Sequence, residues 1–176
     1  RYTLDESSEG LEIQFDESAQ RYEIVDGEEV MDFRLDNHVE PTSATKVDID
    51  GDGEEEYVIT ACAGRGTGIY AADLMVIKQG REEPIAYLSN EEITEQLEAR
   101  TKLVYDDEFQ MVTLYCDSES EPQAVLDMKK FLEEMDAGYD TMSLGNIIRI
   151  DNRDNRYWVT ADYAVYLQGM FTPQYD

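Results

Sequence analysis

Three features of this sequence predict a β-dominated α+β fold, with antiparallel, meander-type sheets and two helices. Apolar residues recur mainly at every second position, the signature of a half-buried strand. The alternating runs are short and separated by glycine, aspartate or asparagine turns. Only two stretches carry helical spacing or a helix-start signal. The 176 residues suit one domain, expected over residues 10–176 behind a frayed segment 1–9.

Along the chain, Leu11, Ile13 and Phe15 alternate with polar neighbours. Tyr22 to Val25 enters a hairpin turn at Asp26-Gly27, and Val30 to Leu35 returns. Asn37 to Ala44, interrupted by Pro41, reads as a loop. Lys46 to Ile49 leads into an acidic glycine loop, and Tyr57 to Cys62 leaves it as a strong strand. Leu74 to Ile77 and the short Pro84–Leu88 segment follow. Ser89 with Glu91 and Glu92 opens a helix expected to reach Glu98. Lys102–Tyr105 and Gln110–Tyr115 form a hairpin across Asp106-Asp107-Glu108. Pro122 starts the second helix, whose apolar face is Val125, Met128, Leu132 and Met135, and Gly138 ends it. Ile147–Ile150 and Tyr157–Leu167 flank a polar turn. The second of these is expected at a sheet centre, because six of its alternate residues are apolar or aromatic.

Charge excludes several functions. There are 41 acidic side chains against 14 basic ones, a net charge of −27, which would repel a nucleic-acid backbone or an anionic membrane. No apolar run approaches the roughly 20 residues of a membrane-spanning helix. Twelve tyrosines, five phenylalanines and one tryptophan supply the aromatic content of a packed core, so the acidity belongs to a folded surface. Cys62 and Cys116 both sit in strand-like runs and read as two free buried thiols, with one bridge between them as the alternative.

The informative segment is Asp48-Ile49-Asp50-Gly51-Asp52-Gly53-Glu54-Glu55-Glu56. Carboxylates at its first, third, fifth and ninth positions can turn inward together when the chain curls. The two glycines allow that curl, and the Glu54 carbonyl stands at the seventh position. Hard oxygen donors suit a divalent cation wanting roughly six to eight oxygens, so calcium is expected as a structural ion held by Asp48, Asp50, Asp52, Glu54 and Glu56. Zinc or copper is disfavoured, with His38 the one histidine in the chain and no paired cysteines. The twelfth position is Ile59, inside a β-branched run, so the element is strand–loop–strand and not an EF-hand.

In this respect Val47 to Ile59 resembles the calcium loop of the FG-GAP and VCBS repeats, with Glu56 where those repeats usually have aspartate. With Gly66-Thr67-Gly68, the Leu74–Ile77 strand and Leu144 to Ile148, the chain is similar to uncharacterised secreted proteins of Gram-positive gut bacteria. That resemblance implies a structural calcium and an extracellular or cell-surface anchored location, and it implies no chemistry. A single copy of the loop argues against a complete propeller.

Other sites carry less. Gly64-Arg65-Gly66-Thr67-Gly68 lacks the spacing of a dinucleotide-binding turn and reads as a hairpin connection, with Arg65 near the acidic loop. His38 reads as a solvated histidine. No nucleophile–histidine arrangement presents itself, and no catalytic residue is assigned. Trp158 with Tyr157, Tyr163 and Tyr166 reads as packing of a central strand. The expected role is a non-catalytic extracellular module that binds a protein or carbohydrate ligand or serves as a scaffold. The alternative is a secreted hydrolase with a glycosidase-like carboxylate pair and calcium as its stability ion. A third class, an acidic mimic of nucleic acid, would need regularly spaced carboxylates on one face.

Overall fold

The computed structural model describes residues 4, 6–8, 10–35, 39–81, 83–117, 121–154 and 156–168. Contacts divide the chain into two compact units, Arg1–Ile93 with Asn146–Ala161, and Thr94–Gly145 with Asp162–Asp176. As the sequence predicts, the fold is β-dominated, with two helices among the described residues and no closed barrel or propeller.

The first unit begins with β1 (Glu6–Ser7), β2 (Leu11–Asp16), β3 (Arg21–Asp26) and β4 (Glu29–Phe33). It continues through β5 (Glu40–Val47), β6 (Glu56–Gly66), β7 (Ile69–Lys78) and β8 (Ala86–Leu88) to the start of α1 (Asn90–Arg100). Strands β2, β3 and β4 make an antiparallel three-stranded sheet, with Ile13 opposite Ile24 and Ile24 opposite Met31. The larger sheet runs β1-β5-β6-β7 and then to the two long strands β12 (Tyr139–Arg153) and β13 (Arg156–Leu167), with β8 also on β7. Most of its pairings are antiparallel; β1 with β5 and β7 with β12 are parallel.

Residues of β6 and β7 alternate between two cores. Tyr57, Ile59, Met75 and Ile77 pack with Leu11, Ile13, Tyr22, Ile24 and Phe33 of the small sheet. Val58, Leu74 and Val76, one residue out of phase, pack with Val47 and with Ile150 and Tyr157. A strand covered on both faces reads as an unbroken apolar run, which is why Tyr57 to Cys62 shows no alternation of its own.

The second unit holds β9 (Thr101–Asp106), β10 (Met111–Cys116), β11 (Ala124–Asp127) and α2 (Lys129–Met135). Its core gathers Val112, Met128, Leu132, Met142 and Leu167. The first helix keeps its expected start: Ser89 Oγ accepts the Glu92 amide at 3.2 Å while Glu92 returns a carboxylate to the Ser89 amide at 3.1 Å, a reciprocal cap.

Three expectations are corrected. Pro41–Ala44, read as a loop, belongs to β5; the β5–β6 register shifts between Pro41 and Ser43, and such an irregularity tolerates a proline. The second helix is shorter than its apolar spacing implies, because Ala124–Asp127 is taken by β10, with Leu126 opposite Val112. The last strand ends the order of the large sheet instead of lying at its centre, and Trp158 is 51% exposed. Within segment 1–9, which lies mostly outside the described residues, Glu6 and Ser7 pair with Ser43 and Ala44. His38 also lies outside the described residues. Cys62 and Cys116 are both free, Cys62 buried and Cys116 partly so.

Candidate metal centre

The acidic loop joins the last residue of β5 to the first of β6, strands in adjacent antiparallel register with Val47 opposite Glu56. Its curl is drawn by Asp48. One carboxylate oxygen accepts the amides of Gly51 at 2.7 Å and Asp52 at 3.1 Å, and the other accepts that of Gly53 at 2.9 Å. Asp50 Oδ1 also accepts the Asp52 amide at 3.0 Å, and Asp52 Oδ1 accepts that of Glu54 at 2.9 Å. Such aspartate-to-backbone bonds are the ordinary chemistry of tight turns. The chain can follow them because Gly51 and Gly53 take φ of +78° and +91°, a region that other residues enter only with strain.

Asp48, Asp50 and Glu56 come together: one oxygen from each lies within 4.8 Å of the other two. Opposite oxygens around a calcium ion stand about 5 Å apart, twice a bond of 2.3–2.6 Å, so the three can share one coordination sphere. The aspartates are exposed, whereas Glu56 is fully buried. Its Oε2 accepts the Ile49 amide at 3.1 Å, and its Oε1 is buried with no hydrogen-bond donor.

Sequence reasoning did not anticipate the part played by Lys78. In the β6–β7 register Lys78 lies directly opposite Glu56. Its ammonium bonds to Asp52 Oδ2 and stands 3.1 Å from Glu54 Oε2 and 3.5 Å from Glu56 Oε1. That bond, helped by the Glu54 amide, holds the Asp52 carboxyl below the usual carboxylate range. In return Asp52 and Glu54 raise Lys78 above its ordinary value. Asp52 and the Glu54 side chain are thus engaged by the lysine, while Asp48, Asp50 and Glu56 face one another. The Lys78–Glu56 opposition is a signal only once the register is known, since 22 positions separate the two in sequence.

The remaining candidates do not join this site. Arg65, expected nearby, lies toward the other end of β6 and pairs with Glu40 at 3.5 Å. Gly64 and Gly66 lie inside β6, and the chain turns at Thr67-Gly68 into β7, a hairpin and not a nucleotide-binding turn. The Tyr157 hydroxyl bonds to Thr45, and Tyr163 packs in the second unit's core. No protein family, curated protein or solved structure matches the chain.

Proposed function

We propose that the chain is a non-catalytic module stabilised by one calcium ion, working outside the cell or on its surface as a binding or scaffolding domain. The observation behind this reading is the convergence of Asp48, Asp50 and the fully buried Glu56, one oxygen of each within 4.8 Å of the other two. A fully buried carboxylate is costly unless it is paired, and one lysine charge, already bonded to Asp52, does not balance this cluster. A divalent cation is the partner that suits it, because the surrounding donors are hard oxygens. We assign the ion to Asp48, Asp50, Asp52, Glu56 and the Glu54 carbonyl. Its contribution is structural: it offsets the mutual repulsion of the carboxylates and fixes the β5–β6 connection. Millimolar extracellular calcium keeps even a weak site of this kind filled.

Lys78 favours a second reading, in which the loop is neutralised by its own lysine and needs no ion. A thermal melt in EDTA and in millimolar calcium separates the two. At 100 times Kd, bound calcium contributes about 2.7 kcal/mol, a rise in Tm of roughly 5–10 °C for a chain this size. The rise is expected in the native protein and absent in the Asp50→Ala, Asp52→Ala variant. An unchanged native melt, with metal analysis finding no calcium, leaves the lysine-closed turn as the correct account.

A further inference from the structure

Apart from the acidic loop, the first unit contains an open cleft of about 830 Å³ between the β4 edge of the small sheet and the β7–β8 connection. Its lining is mixed, polar and apolar surface in about equal share. Phe33 and Met75 are buried there, Tyr87 forms part of the wall, and Val30 lines it while remaining 60% exposed. That volume lies within the roughly 300–1,000 Å³ of small-molecule sites, which pair apolar walls with a few polar anchors.

The anchors here have an unexpected sign. Among the described residues that line the cleft, three are arginines (Arg21, Arg34 and Arg81) and two are acids (Asp32 and Glu83), in a chain of net −27. Arg65 is matched with Glu40, Arg100 with Asp117, Arg153 with Asp151, and Arg149 lies over the Tyr70 ring. Among the described residues, Arg34, Arg81 and Arg156 have neither a carboxylate nor a ring partner, and the first two share this cleft. Both stand on short connections, Arg34 directly after β4 and Arg81 beyond the Gly80 turn, where its amide donates to the Lys78 carbonyl at 3.1 Å. Arg21 is half committed: Nη1 meets Asp32 at 2.7 Å, while Nε is buried with no acceptor.

We propose that this cleft binds a small monocarboxylate with an apolar body. A guanidinium matches a carboxylate through paired, charge-assisted hydrogen bonds. One negative charge can be shared by the Arg34 and Arg81 guanidiniums. A phosphate or polyanion would enter the same cleft against the repulsion of the rest of the surface, which grows with each added charge. The apolar part of the lining, Val30, Met31, Pro84 and Tyr87, rewards a hydrocarbon body over a bare ion. This site is independent of the calcium loop and stands or falls without it.

The test is a titration followed by amide NMR, with 3-phenylpropionate and octanoate as probes and 3-phenylpropanamide as the uncharged control. Saturable shifts are expected at residues of β4, β7 and β8 with either carboxylate, and binding about tenfold weaker with the amide. The Arg34→Gln, Arg81→Gln variant changes two exposed side chains, so its melt is expected to match the native one while its affinity for the carboxylate falls about tenfold. Equal binding of acid and amide, undiminished binding by the variant, or no shifts from either carboxylate at millimolar concentration would each overturn the proposal.

Discussion

Two acidic turns join antiparallel strands in this protein, and they differ in what their charges meet. The loop from Asp48 to Glu56 converges, with Asp48 gathering three backbone amides and three carboxylates facing one another around a buried glutamate. The turn between β9 and β10, with Asp106, Asp107 and Glu108 in a row, does not. Asp106 accepts the Phe109 amide at 3.1 Å, all three acids are exposed, and Phe109 itself is 62% exposed. The first loop carries six acids and the second three, but number alone does not make carboxylates converge. The difference lies in glycine at the two positive-φ positions and in one carboxylate carried inward by a core strand.

The sharpest way to break this comparison is to remove charge from each turn. Glu56→Gln is expected to abolish the calcium-dependent rise of roughly 5–10 °C in Tm, because the ion loses its one buried carboxylate. Asp107→Asn is expected to move Tm by no more than about 2 °C with or without calcium, as exposed substitutions do. A large calcium response that survives Glu56→Gln would move the site away from the buried side chain.

Backbone geometry offers a second, smaller contrast. Gly53→Ala forces a side chain into φ near +91° and should cost about 1–2 kcal/mol in denaturant melts. Gln110 holds φ of +52° in the other turn, so Gln110→Gly should stabilise by up to about 1 kcal/mol. Opposite signs are the expected result, and equal signs would contradict the geometry described for both turns.

Lys78 allows the competition at the loop to be measured. With Lys78→Met, the ammonium that engages Asp52, Glu54 and Glu56 is gone, and calcium titration should show binding roughly threefold to tenfold tighter. The metal-free form of the variant should melt earlier than the native protein. Weaker calcium binding in Lys78→Met would mean that the lysine organises the site instead of competing for it.

The smallest effect concerns acid. Below the loop, Asp26 is held under its ordinary value first by Lys46, whose ammonium is 2.7 Å away, and then by the Tyr57 hydroxyl. A lowered folded value means stability present above the usual carboxylate range and lost as pH falls through the folded value. Asp117, beside Arg100 in the second unit, has the same sign but is more exposed. Melts between neutral pH and about pH 3 should therefore show Asp26→Asn flattening the acid loss more than Asp117→Asn does.

Much of the fold was legible because period-two alternation survives packing. Leu11, Ile13 and Phe15, Tyr22 and Ile24, and the hairpin at Gly27 all stand where the pattern put them. What failed was settled by distant partners. The spacing of Val125 and Met128 suits a helix, yet backbone pairing with β10 claims the first of them. Pro41 argues locally for a loop, and only the bulge against β6 shows how a strand accommodates it. The loop's carboxylates were visible as a spacing, but the burial of Glu56 and the approach of Lys78 depend on register. The cleft was invisible, since its arginines come from three separate parts of the chain and share no motif.

Glu56 has two memberships: it closes the loop and it opens β6, the strand held between β5 and β7 and buried through its first seven residues. A change of charge at this surface turn is therefore delivered to the middle of the sheet without passing through any flexible segment. The chemistry of the loop and the packing of the sheet meet in one side chain, at the start of a strand buried between β5 and β7.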